Sequence, residues 1–176
     1  MNIILKNMRW LALSLITTGS FANAGPVDDS SIDVQPAPNG IEIPAHYKDW
    51  KLISSSMRND KHSLRVVLGN PIAIEAVRKH QTNPWPNGAI LAKLVWHVSQ
   101  LSSWPQATVP GEFEQAEFMI KNAQKYSRTG GWGYARWMGM EQKPYGHDKN
   151  FSSECLACHA EVSEHDYVFT VPAQLP

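Results

Sequence analysis

Apolar and polar residues alternate through residues 89–98. Ile90, Ala92, Leu94, Trp96 and Val98 share one side of an extended chain, and Leu91, Lys93, Val95 and His97 share the other. Both sides are rich in apolar groups, which predicts a central strand covered on both faces. Further strands are predicted over residues 50–57, 63–68, 112–120 and 132–140. In residues 112–120 the alternation groups Phe113, Gln115, Glu117 and Met119 on one side. Residues 71–80 read as a short helix, with Asn70 as its cap and Pro71 in its first turn. Residues 83–88 carry turn chemistry twice over, Gly130-Gly131 punctuates, and Gly139, Pro144 and Gly146 make a loop. Residues 151–162 read as a second short helix, followed by an apolar segment over 167–171. The expected fold is mainly β: one antiparallel-sheet domain over residues 41–176 with a few short helices and no internal repeat.

The N-terminal region breaks this pattern. Lys6 and Arg9 precede a short apolar run over residues 10–18, and Ala22-Asn23-Ala24 is a small-x-small cleavage site. Residues 1–24 are therefore expected to be a signal peptide cleaved after Ala24, with export to the periplasm. The apolar run is too short for a permanent membrane span. Residues 25–40, polar and containing Pro26, Pro36 and Pro38, read as a mobile leader. Removing Lys6 and Arg9 from the 16 basic residues leaves 14 against 16 acidic ones, a net charge near −2. That balance argues against nucleic acid or an anionic membrane as partner.

Chemistry concentrates in Cys155-Leu156-Ala157-Cys158-His159, which holds both cysteines of the chain. C-x-x-C-H is the spacing of c-type haem attachment: two thioethers to the porphyrin, with the adjacent imidazole as axial iron ligand. A redox C-x-x-C would need a βαβ context, and none is visible. A zinc site would need further ligands, and His165 is the only nearby candidate. Only seventeen residues follow His159 and none is Met, so the sixth iron position is expected to be open. The motif is expected on the second short helix, with one covalent haem per chain and His159 on the metal.

Several stretches of the body carry a resemblance. They are Tyr47-Lys48-Asp49-Trp50, Leu64-Arg65-Val66-Val67, Trp85-Pro86-Asn87-Gly88 running on to Lys93-Leu94, Ala116-Glu117-Phe118-Met119-Ile120-Lys121, Gly131-Trp132-Gly133, and Asp166-Tyr167-Val168-Phe169-Thr170 after the haem motif. In this order and at these gaps the chain resembles the cytochrome P-460 family. The resemblance implies a mainly antiparallel β fold and a periplasmic homodimer. It also implies oxidation of hydroxylamine to nitrous oxide or nitrite, with electrons leaving to a soluble acceptor such as another c cytochrome. It further implies a covalent bond between a lysine, here Lys93, and the porphyrin edge. Arg65 and Glu117 would lie in the pocket above the iron, Glu117 accepting substrate protons and Arg65 orienting the substrate.

Each residue also has a plainer reading. Lys93 fits a lysine that snorkels to solvent from an edge strand. Arg65 and Glu117 fit a salt bridge between strands. His97 lies on the side of Lys93 but suits a surface histidine equally. Met138 and Met140 suit packing beside Trp137, and His165 is too close in sequence to reach the haem face opposite His159. Trp132, Tyr134, Phe113 and Phe118 are candidates to wall the haem, and Arg136 to pair a propionate. A sister group in the same fold, cytochrome c′-beta, lacks the lysine bond and binds nitric oxide or carbon monoxide in an apolar pocket. That alternative function rests here on Phe113 and Phe118.

Overall fold

Twelve consecutive residues with apolar groups on both sides favour a strand with neighbours left and right, and the chain builds its sheet around that segment. The computed structural model describes residues 34–174. The strands are β1 (Lys51–Arg58), β2 (Ser63–Gly69), β3 (Ile90–Leu101), β4 (Trp104–Lys121), β5 (Trp132–Met138) and β6 (Lys143–Pro144). They form one antiparallel sheet in the order β1-β2-β3-β4-β5-β6, each strand beside its neighbour in sequence. Helix α1 (Pro71–Arg78) links β2 to β3, and helix α2 (Ser152–His159) runs into a 3-10 segment, Ala160–His165. The mainly β expectation holds, including the C-terminal helix that carries the cysteine motif.

Local chemistry explains the ends of α1. Asn70 accepts a hydrogen bond from the Ala73 N–H at 2.9 Å, and Pro71 needs no donor at the first turn. The Asn70 side chain also donates to the Gly88 carbonyl and accepts from Ile90 N–H, so the cap ties the helix to the start of β3.

The sheet has a buried cluster on each face. One contains Ile53, Val67, Trp85, Leu91, Trp132, Tyr134 and Val168, with Leu156 packed against it and Cys155 touching both clusters. The other contains Ala37, Ile41, Tyr47, Ala92, Phe118, Ala135, Trp137 and Phe151. β3 supplies Leu91 to the first and Ala92 to the second, as expected of a central strand. Trp132, Trp137 and Phe118 are fully buried, each worth about 2–3 kcal/mol in burial.

Three details depart from the sequence expectations. The signal peptide expected over residues 1–24 lies outside the described residues, as does most of the leader. The described part of that leader is fixed: Ala37 is buried, Trp137 Nε1 donates to the Gln35 carbonyl, and Asn39 donates to the Tyr134 carbonyl. Ordered structure therefore starts before Ile41, because this segment covers the aromatic face of the sheet. Strand β4 also begins well before residue 112, and a two-residue strand, β6, forms inside the expected loop.

The third departure concerns side-chain direction. Val95 pairs with Gln115 and Trp96 with Phe113, so Glu114 is an extra residue on β4. This bulge inverts the alternation at that point. Phe113 packs on Trp96 at 5.4 Å, on the face away from Glu117, rather than beside it.

Candidate functional site

Register places the polar groups of the site in one row. Val67 pairs with Lys93, Lys93 with Glu117, and Glu117 with Arg136, across β2, β3, β4 and β5. Directly paired residues project to the same face. One row inward lie Leu91, Met119 and Tyr134; one row outward lie Arg65, Val95, Gln115 and Met138.

Glu117 is the hub. It forms ion pairs with Lys93 and with Arg136 (2.8 Å), and Gln115 Nε2 donates to the same carboxylate at 2.8 Å. Its side chain is 15% exposed. Burial pushes the Glu117 carboxyl up and is the largest single influence. The charges of Lys93 and Arg136 and the Lys93 hydrogen bond together outweigh it, and the carboxyl sits below its ordinary value. Glu117 is thus an anion held between two cations. Arg136 also lies over the Tyr145 ring at 4.6 Å.

The cysteine motif faces this row. Spacings of three and four residues put Cys155, Cys158 and His159 on neighbouring positions of α2. The His159 ring rests between Tyr134 (5.2 Å) and Phe169 (5.3 Å). Its Nδ1 is hydrogen-bonded to the Tyr167 carbonyl at 2.7 Å. Burial pushes this imidazole below its ordinary value, with the Tyr167 carbonyl opposing. At neutral pH the ring is neutral, with the proton on Nδ1 and the lone pair on Nε2, which is the metal-binding form. Both thiols are free; Cys155 is half-buried and Cys158 exposed. Burial raises the Cys155 thiol above its ordinary value, opposed by Arg136.

A buried polar atom ordinarily has a partner. Here Arg65 Nε, Arg136 Nε, the Tyr134 hydroxyl and Ser63 Oγ have none; all lie on the His159 face, with Ser63 at the start of β2. Burial also pushes the Tyr134 hydroxyl well up, so it stays protonated. A macrocycle with propionates, an iron and iron-bound ligands supplies acceptors of the kind these donors lack. Together with two free thiols and a neutral imidazole, the residues fit a haem. Among the described residues no three His, Cys, Asp or Glu side chains converge as a metal-binding group. The zinc arrangement using His165 is not formed; His165 is exposed beside Glu164.

The structure brings Lys93, Glu117, Cys155 and His159 to one face. It pairs Glu117 with Lys93 and Arg136, and not with Arg65. The interstrand Arg65–Glu117 bridge weighed from the sequence is absent among the ion pairs, because Arg65 stands one row outward, opposite Val95. Lys93 is on a central strand, so it has no edge from which to snorkel. Of the four aromatic wall candidates, Trp132 and Tyr134 are on the His159 face, whereas Phe113 and Phe118 are on the other. His97 is exposed, and Met140 stands in solvent. A groove of about 750 Å³ lined by Met138, Lys143, Tyr145, Phe151 and Glu154 adjoins the site without including Lys93 or Cys155.

Arg136 as a partner of Glu117, Gln115 as a donor to it, and the Tyr167 carbonyl as a partner of His159 were not read from sequence. Alternation on β5 placed Arg136 on a face; only register shows that it lands opposite Glu117.

Residues 44–170 match the family model described as Cytochrome P460. A search of curated proteins finds no match.

Proposed function

Because the chain belongs to the cytochrome P460 family and is thereby a haem protein, we propose that it is an exported, periplasmic c-type cytochrome that oxidises hydroxylamine. The electrons would pass to a soluble acceptor such as another c cytochrome. The observation that carries this reading is the Lys93–Glu117–Arg136 row on the sheet face that also receives Cys155 and His159. Cys155 and Cys158 would hold one haem per chain through thioethers, His159 Nε2 would hold its iron, and Lys93 would be the lysine that joins the porphyrin edge. When bound, the haem supplies an iron that accepts electrons from a small nitrogen compound.

The chain's own residues manage protons and orientation. Hydroxylamine must release protons as it loses electrons. Glu117 is anionic at neutral pH and therefore able to accept them. Lys93 and Arg136 keep its basicity low. A Lys93 nitrogen tied to an aromatic ring would no longer carry a full ammonium charge, so Glu117 would lose one of its cations, keep Arg136 and the more distant Arg65, and become a stronger base. Arg65 would orient a small polar substrate, a role supported by its unpartnered Nε in the next row. A homodimer accords with the family resemblance.

The second reading, gas binding without turnover, rested on Phe113 and Phe118 as an apolar cap. Both lie on the opposite face, and the polar row favours proton-coupled oxidation. The test is a tryptic digest of the exported holoprotein together with a hydroxylamine-dependent acceptor-reduction assay. A haem joining the Lys93 peptide to the Cys155–Cys158 peptide, with turnover, is expected. Lys93 in an ordinary free peptide, with no turnover, would overturn the enzyme reading in favour of gas binding.

A further inference from the structure

A second ion pair lies on the same sheet face, and the chemistry above does not use it. Lys121 and Asp166 are 6% and 8% exposed, and Nζ meets Oδ1 at 2.6 Å. Lys121 ends β4, and Asp166 follows the 3-10 segment after the cysteine motif. Burying two charges is costly unless their remaining hydrogen-bonding capacity is met. Here it is met closely. Lys121 Nζ also donates to the Gly130 carbonyl at 3.3 Å and stands over the Trp132 ring at 4.9 Å. Asp166 Oδ2 accepts from the Trp85 N–H at 2.8 Å, and the Asp166 carbonyl accepts from Trp132 Nε1 at 2.8 Å.

The backbone at this point is unusual. Asp166 and Tyr167 have φ of 52° and 64°, two successive non-glycine residues in the left-handed region. Such residues persist only where their surroundings over-determine them. The surroundings are specific here: the ion pair fixes Asp166, and the Tyr167 ring lies over Gly130, where a Cβ would come within 2.4 Å of it. The product of this turn is one well-aimed group, the Tyr167 carbonyl on His159 Nδ1.

We infer that the buried Lys121–Asp166 pair is a positioning device for His159: it holds the left-handed Asp166–Tyr167 turn that aims the Tyr167 carbonyl at Nδ1 and so fixes the tautomer and direction of the Nε2 lone pair. The ligand role of Nε2 rests on the haem reading above; the lock on the ring does not. Bonds to the second ring nitrogen orient a ligand histidine and raise its basicity, which favours oxidised iron.

The test uses the full-length holoprotein as wild type, K121M/D166N and Lys121→Arg. The double variant removes the pair without stranding either charge. Its iron–histidine stretching band in the reduced protein is expected to move to lower frequency and its reduction midpoint to rise, while Lys121→Arg keeps both near wild type. A folded double variant with band and midpoint unchanged makes the pair architectural only and overturns the inference. Should the double variant not fold, Asp166→Asn carries the same expectation and the same overturning result. A wild-type chain purified without haem defeats the haem reading instead. In that case the ¹⁵N shifts of the His159 ring still decide the lock. Protonation on Nδ1 in wild type with mixed tautomers in the variant supports it, and an unchanged tautomer overturns it.

Discussion

Two ionic clusters share one face of the sheet and are built on opposite principles. Around Lys121 and Asp166 both charged side chains have hydrogen-bond partners beyond each other, and the pair is buried from solvent. Around Glu117 the carboxylate is matched, but Lys93 is 29% and Arg136 25% exposed, and Arg65 Nε and Arg136 Nε lack partners. A closed network holds backbone in place. An incomplete one marks where the protein expects something it does not itself supply.

The sharpest way to break this contrast is to remove one member of each cluster. Asp166→Ala strands the Lys121 ammonium and the Trp85 N–H in the interior. It is expected to cost about 3–5 kcal/mol in denaturant unfolding, a large share of a domain's stability. Glu117→Gln keeps shape and hydrogen bonding and should leave the fold intact. Its hydroxylamine turnover is expected to fall at least about 100-fold, about 2.7 kcal/mol in the barrier. Turnover unchanged in that variant would remove the proton-accepting role. Arg65→Met is milder still: about tenfold slower turnover, near 1.4 kcal/mol, with stability within about 1 kcal/mol of wild type. A large loss of stability there would place Arg65 with the architectural cluster.

The smallest effect is a pH dependence. The Glu117 carboxyl is lowered on folding, so the folded state binds this proton less readily than the unfolded chain. Its stabilisation is therefore present above the ordinary value of 4.5 and fades as pH falls through the lowered folded value. Unfolding stabilities of wild type and Glu117→Gln should differ by a constant amount above about pH 4.5, draw together as pH falls below it, and stop changing relative to each other below the lowered folded value. Parallel curves at all pH values would mean that the two cations do not stabilise the carboxylate.

Much of this architecture was legible in the sequence, for identifiable reasons. Alternation in residues 89–98 gave the central strand and placed Lys93 on its face, and the C-x-x-C-H spacing located Cys155, Cys158 and His159. Asn70 and Pro71 marked α1 because capping is local chemistry. Pairing was not legible. Lys121 and Asp166 are 45 positions apart, and nothing in either neighbourhood names the other. Phe113 was assigned to the wrong face because the bulge at Glu114 shifts the phase of β4 without an obvious local signal. The early part of β4 was not expected; it contains Pro105, Pro110 and Gly111, residue types that ordinarily interrupt strands. Pro110 instead sits where the register with β3 shifts, a place a strand tolerates proline.

The sheet is a simple meander, and every strand pairing is complete in the chain by Pro144. Neighbour-to-neighbour pairing closes short loops first and needs no late, distant partner. In the order of synthesis, the two thiols and the imidazole emerge onto a scaffold whose hydrogen-bond ladders can already be in place. Prosthetic-group loading then acts as a finishing step and not as a nucleus. A chain carrying Cys155→Ser and Cys158→Ser is accordingly expected to keep the strand signature of the loaded protein in far-ultraviolet circular dichroism, and collapse of that signature would reverse the sequence of events.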